Sequence, residues 1–129
     1  MNIMILSNGT FEEREIENTL EELQGIVGGY IEIPYLGDTF QRNGIDVIIN
    51  EEGKLIEGMR PEIAIVDSEQ MQILDVVYGN CIFASHDEEG NTVELSKDQE
   101  LIVLGELVTR IGLTNRNTGE THEVRALFI

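Results

Sequence analysis

Apolar residues in this chain come in short runs cut by glycine-bearing breaks, and only two stretches carry helical spacing. That pattern restricts the fold to one built mainly of strands, with few helices to cover them. Residues 2–6 read as a first strand, and the charged residues 11–17 as a polar edge strand. Asn18, with Glu21 three positions on, has the form of a helix cap. Leu20, Leu23 and Val27 then mark one apolar stripe, and Gly28-Gly29 stops it. Residues 30–36 form the next strand, with Pro34 confining it to a sheet edge or ending it there. Residues 37–44 read as a polar loop and 45–49 as a compact strand. Residues 50–53 have the composition of a hairpin turn, with Gly53 in the positive-φ position and residues 54–56 returning.

The second half repeats the theme. Residues 62–66 are open between a strand and a short helix begun by Pro61. Residues 76–85 are strand-like but interrupted at Gly79-Asn80. Residues 86–91 (HDEEGN) form an exposed turn, and 92–95 are briefly extended. Ser96 with Gln99 is a capping box, and Asp98 and Glu100 suit the first turn of a helix. Leu101, Leu104, Leu107, Val108 and Ile111 give that helix an apolar stripe, with Arg110 in its last turn and Gly112 at its end. A turn at 117–119 leads to a final strand, 124–129. The resulting order is α+β: a small antiparallel or mixed sheet carrying two amphipathic helices, in one domain spanning 1–129.

Charge constrains the partners. Twenty-five acids stand against eight bases, a net charge of −17. Binding to a long polynucleotide relies on Lys and Arg displacing counterions, and this chain has few of them. Its attraction is to basic surfaces, including those of proteins that handle DNA or RNA. The plainer account is that acidity only keeps the chain soluble. One cysteine, Cys81, excludes an intramolecular disulfide. There is no basic leader followed by an apolar core and no apolar stretch of membrane-spanning length, so the expected location is the cytoplasm, away from membranes.

Catalytic signals are sparse. Cys81 lies in an apolar strand, where a thiol is inert, and His86 falls on the opposite strand parity. Neither a zinc spacing nor a calcium-loop order occurs, and phosphate-cradling glycine motifs are missing. The reading therefore includes no catalytic residue, metal or cofactor. Lys54 and Arg60, near glycines 53 and 58, with Arg42 and Lys97 as further cations, are candidate anion contacts, and Tyr30, Tyr35 or Tyr78 could stack on a base. Nothing in their spacing demands a ligand, and solvated loop cations are the better account of them.

Acidic concentration is the remaining signal. Glu12, Glu13, Glu15, Glu17, Glu21 and Glu22 fall within eleven residues, against Arg14 alone. If residues 11–17 are extended, Glu13, Glu15 and Glu17 share one face at roughly 6.7 Å spacing. That would imitate every second phosphate of a strand advancing ~3.4 Å per nucleotide. A second concentration, Asp87, Glu88, Glu89, Glu94, Asp98 and Glu100, flanks the start of the second helix.

Three segments carry a resemblance. Residues 16–33 (IENTLEELQGIVGGYIEI), 49–55 (INEEGKL) and 77–83 (VYGNCIF) resemble, in this order, the hallmarks of an uncharacterised domain family of Gram-positive phages, plasmids and conjugative elements. The similarity covers about residues 12–108 and leaves 109–129 as a C-terminal extension. It implies the company of proteins that blunt restriction and CRISPR immunity, and it supplies no catalytic residues.

Together these readings give the expectation of a non-catalytic anti-defence protein. It would dock Glu13, Glu15, Glu17, Glu21 and Glu22 on the basic nucleic-acid channel of a Cas9-type effector or restriction enzyme. The alternatives are a sponge for a cyclic nucleotide, using Lys54, Arg60, Tyr30 and Tyr78 in a homo-oligomer joined by edge pairing of residues 124–129, or a small enzyme of unknown type.

Overall fold

The computed structural model describes residues 1–129. Its N-terminal hairpin is set by Asn8 and Gly9, both at positive φ (53° and 82°). A two-residue hairpin loop requires that backbone, and Asn-Gly adopts it readily. The loop joins β1 (Asn2–Ser7) to β2 (Thr10–Glu15), with Leu6 opposite Phe11 and Met4 opposite Glu13.

Helix α1 (Leu20–Val27) starts one residue later than the sequence suggested. Thr19, in an extended conformation, is the cap, and its hydroxyl accepts from the Glu22 N–H at 3.2 Å. Asn18 instead donates its amide to the Thr92 carbonyl at 2.8 Å. Gly28 ends the helix at φ 84°, as expected. Leu23 and Val27 are buried while Leu20 is exposed, so the apolar stripe is narrower than its spacing implied.

The next strand, β3 (Ile31–Glu32), has two residues, not seven, and stops before Pro34, which has no N–H to continue a ladder. The expected loop at 37–44 contains α2 (Asp38–Arg42), which buries Phe40 edge-on against Phe83, ring centroids 6.3 Å apart. After β4 (Ile45–Asn50) comes no hairpin but a 3₁₀ turn, Gly53–Leu55. Gly53 is not at positive φ. It is needed because a Cβ there would lie 2.6 Å from the Tyr78 carbonyl oxygen.

The ambiguous segment after Pro61 is a strand, β5 (Pro61–Val66), buried at every residue. The interruption at Gly79-Asn80 separates β6 (Ile73–Tyr78) from β7 (Cys81–His86), which belong to different sheets. β8 (Thr92–Val93) leads to α3 (Lys97–Glu106), opened by the expected box: Ser96 Oγ accepts from the Gln99 N–H (3.1 Å) and Gln99 Oε1 from the Ser96 N–H (2.8 Å). The helix ends at Glu106, and Arg110 starts a strand, β9 (Arg110–Thr114). The chain closes with β10 (Thr121–Phe128).

One sheet runs β2-β1-β7-β4-β3, with β8 also on β7; the other runs β6-β5-β10-β9, with β10 parallel to β5. The fold is α+β, with two sheets and three helices. Met4, Leu6, Val47, Cys81 and Phe83 of the first sheet share a core with Ile63, Ile65, Val77 and Leu127 of the second. Leu23 and Val27 of α1 cover the first sheet's other face, on Ile3, Ile5, Ile48 and Ile82. Residues 109–129 are therefore no appendage: β10 lies between β5 and β9. It pairs with β9 along Thr121–Arg125 and with β5 along Arg125–Phe128, so it is an interior strand of its sheet.

Orientation of α3 departs most from the periodicity. Gln99, Val103 and Leu107, four residues apart, form its inward face. The Gln99 amide donates to Asn43 O (2.7 Å) and Ser85 Oγ (3.1 Å), while Val103 and Leu107 are fully buried. Leu101, Leu104 and Val108, expected in the core, are turned to solvent.

Candidate functional site

The acidic residues singled out above are exposed, apart from half-buried Asp87 and Glu100, but they do not line up as a ladder. Residues opposed across antiparallel strands share a face. Glu13 and Glu15 thus stand on the Met4 side of β2, whereas Glu12 and Arg14 stand on the α1 side. The strand ends at Glu15, because Ile16 is buried under α1 with its N–H bonded to Met1 O (2.8 Å). Glu17 therefore lies off the strand, in the link to the helix. Glu21 and Glu22 occupy the first turn of α1, across the sheet from Glu13. Two of the carboxylates near the hairpin have partners: Glu15 takes the N-terminal ammonium (2.7 Å) and Glu12 takes Arg14 (2.8 Å).

One hydrogen bond nevertheless joins the two acidic runs directly, and a second ties the later run to the start of β1. Asn18 Nδ2 reaches Thr92 O at 2.8 Å, and the Asn2 N–H donates to Glu94 Oε1 at 2.9 Å. Residues more than seventy positions apart thereby meet at the open end of β1. The 87–91 turn beside them is held by Asp87, which accepts from the N–H groups of Asn91 (2.8 Å) and Glu89 (3.0 Å). Those bonds, led by Asn91, hold the Asp87 carboxyl below its usual range.

The candidate anion contacts are partly brought together. Lys54, Arg60 and Tyr78 line one groove of about 830 Å³, along with His122. Tyr30 lies elsewhere, exposed. Both cations already have partners: Lys54 pairs with Asp75, and Arg60 donates to Glu62 Oε1 (3.1 Å) and to Glu123 O (2.7 Å). Burial pushes Asp75 up, but the Lys54 ammonium and the Val76 N–H outweigh it and hold the group low.

Cys81 and His86 sit at opposite ends of β7. Cys81 is wholly buried, and burial, followed by the negative charge of Glu62, drives its thiol far above the ordinary range. His86 bonds Asp46 at the surface (Nδ1 to Oδ2, 2.9 Å). No group of three or more His, Cys, Asp or Glu side chains converges to hold a metal ion, and no helix is long and apolar enough to cross a membrane.

Sequence reading overlooked the most unusual polar arrangement, the buried charges Glu62 and Arg125. A register shift in β5 between Pro61 and Ile63 falls at Glu62, whose carboxylate accepts from the N–H groups of Asn8 (3.0 Å) and Gly9 (2.9 Å). Arg125 returns to the same loop, donating to Gly9 O (3.0 Å) and to Leu107 O (3.0 Å), with its guanidinium 5.0 Å from the Phe11 ring centroid. The signals were present: a lone acid in PEIAIV, a lone base in EVRALFI, and an Asn-Gly pair between two extended runs.

The three resemblance segments meet at the C-terminus of α1. Asn50 Nδ2 donates to Val27 O (3.2 Å) and Asn80 Nδ2 to Ile26 O (3.0 Å), capping carbonyls the helix leaves unpaired. Gly29 gives Asn50 room, since a Cβ there would lie 2.9 Å from its amide nitrogen. These motif residues are therefore architectural.

No curated protein and no solved structure matches the chain. A family match extends over residues 1–109, taking in the first strand as well as the three segments and ending just before β9. On that match, the chain belongs to the family described as Domain of unknown function (DUF3846).

Proposed function

We propose that this protein is a non-catalytic binder of basic protein surfaces, and that its partner is a nucleic-acid-handling enzyme of host defence, of the Cas9 or restriction class. The observation that carries the reading is the junction of the two acidic runs through Asn18–Thr92, with Glu94 held beside it on the Asn2 N–H of β1. It gathers Glu17 and Glu94, with the exposed carboxylates flanking each, around one end of the molecule. A channel lined with Lys and Arg is attracted to such an end within about a Debye length, with fast and salt-sensitive association. The mode is a charged cap, not a phosphate-spaced ladder, since Glu13 stands on the Met4 face of β2 while Glu21 belongs to α1, which covers the opposite face. The mobile-element setting is part of the proposal and rests on the three resemblance segments.

Capture from extract of a host that carries CRISPR and restriction systems tests it. The expected result is a nuclease partner retained at low salt and released as salt rises. A partner that stays bound through high salt, or one with no nucleic-acid channel, contradicts the reading.

A second reading draws on the groove that holds Lys54, Arg60 and Tyr78 together. It is a sponge for a cyclic dinucleotide, with Tyr78 stacking on a base and the two cations shared with phosphate. It predicts a rise in melting temperature with cyclic dinucleotides that Arg60→Gln removes. The pairing of both cations with Asp75 and Glu62 makes it the weaker reading.

A further inference from the structure

Between the two sheets lies a pocket of about 350 Å³, large enough for a small molecule. Ile49 of β4 lines it from the first sheet, and Ile65, Val76 and Val77 line it from the second. Ile65 and Val77 are buried, so the inner part is apolar. Residues 34–36, which follow the end of β3, and the 3₁₀ turn Gly53–Leu55 complete the lining. The turn can sit there because Gly53 leaves room for the Tyr78 carbonyl.

At the rim, Leu55 is 83% and Tyr35 60% exposed. Such exposure is ordinary for a single side chain. Here both border one cavity, where a bound apolar body would cover them. Tyr78 lines the same cavity, so two aromatic rings, each with a negative face, meet there. The Tyr35 hydroxyl donates to Asp38, which holds its ring in place.

Charge selects the ligand. The lining has four carboxylates, Glu32, Glu51, Glu52 and Asp75, against one base, Lys54. Lys54 pairs with Asp75, and no ion pair of the chain takes up the other three. An anion would meet like charge at this mouth. A cation is drawn to it, and aromatic faces beside carboxylates suit a cation that carries an apolar body. We propose that the pocket binds a small organic cation, an ammonium on a short aliphatic or single-ring body. The body lies on Ile49, Ile65 and Val77, and the ammonium meets Tyr35, Tyr78 and the carboxylates of Glu51 and Glu52. Lys54 and Tyr78 also border the groove that holds Arg60, but the carboxylates of β2 and α1 take no part, and the inference stands without them.

The test is calorimetric titration of the full chain with benzyltrimethylammonium at fixed ionic strength, followed by amide shifts in NMR. A chain of net charge −17 attracts every cation, so tetramethylammonium controls for charge without a body, and benzyl alcohol for a body without charge. The probe should bind ~10-fold or more tighter than either, with shift changes concentrated at residues 34–36, 49–55 and 75–78. Glu51→Gln combined with Glu52→Gln should weaken it by a similar ~10-fold factor at unchanged melting temperature, and Tyr35→Leu should weaken it as well. No binding of the probe, equal binding of tetramethylammonium, shifts spread over the acidic surface, or undiminished affinity in the double variant overturns the proposal. A trimethyllysine peptide that binds where the free cation does not overturns it too, by assigning the pocket to a side chain of a partner protein.

Discussion

Glu62 and Arg125 hold opposite ends of the same residue: the Glu62 carboxylate accepts from the Gly9 N–H at 2.9 Å, and the Arg125 guanidinium donates to the Gly9 carbonyl at 3.0 Å. Gly9 tips the hairpin of the first sheet, while the two charges come from β5 and β10 of the second. The clamp therefore fixes how the two sheets meet. Glu62 is 1% and Arg125 7% exposed, so each depends on its hydrogen bonds to offset the loss of water.

Removing the acid end of the clamp should be costly. Glu62→Ala leaves the part-buried N–H groups of Asn8 and Gly9 without their acceptor and takes one of three acceptors from the Arg60 guanidinium, an expected loss of about 3–5 kcal/mol. Glu62→Gln keeps one acceptor oxygen and should lose less. Denaturant unfolding followed by circular dichroism gives both values; an alanine variant within about 0.5 kcal/mol of the parent, as for an ordinary surface change, contradicts the account.

Arg125→Lys should fail to substitute. A single ammonium cannot serve Gly9 O and Leu107 O in the fork geometry of guanidinium, nor lie flat on Phe11. The expected cost is about 1–3 kcal/mol, the size of a lost buried charge-assisted bond. Equal unfolding midpoints for Lys and Arg would remove the clamp from the explanation of sheet packing.

Cys81 should be chemically silent until the chain unfolds. Burial first, and Glu62 second, keep its thiol protonated at neutral pH. Ellman's reagent should therefore report no thiol in the native protein and one in denaturant. Rapid native labelling would mean that the shared core opens at β7.

Acid should loosen the 87–91 turn. The Asp87 carboxyl is held below its unfolded value by bonds led by Asn91. Its contribution is thus complete above the ordinary aspartate value of ~3.9 and disappears as pH falls through the lower folded one. Asp87→Asn should flatten that acid limb of the stability profile, and a carboxyl titration by NMR should give a midpoint below the ordinary one. A midpoint at or above the ordinary value contradicts the hydrogen-bond set.

What could be read from the chain without coordinates was what depends on neighbours in sequence. The Ser96–Gln99 box and the Gly28 stop are set within four residues, and both stand where their residue types put them. Thr19 displaced Asn18 as the α1 cap because either side chain can accept from the first turn, and only the reach of Asn18 to Thr92 decides between them. Helix α2 has a single buried residue, Phe40, too little periodicity to separate it from a loop. On α3 two apolar sets interleave, and the distant acceptors of Gln99, Asn43 O and Ser85 Oγ, choose Val103 and Leu107 for the interior. The acidic segments were legible from composition, but their junction was not, since it depends on β8 returning beside the start of β1.

The most direct test of the proposed function is the affinity of the protein for a purified Cas9-type effector and a purified restriction endonuclease across a salt series. It should be repeated with Glu13, Glu17 and Glu22 all changed to Lys. The account predicts binding to at least one of them that falls as salt rises, and a further loss of well over ~10-fold in the triple variant at unchanged melting temperature. Binding that is indifferent to both salt and charge reversal, or no binding to either enzyme, would contradict it.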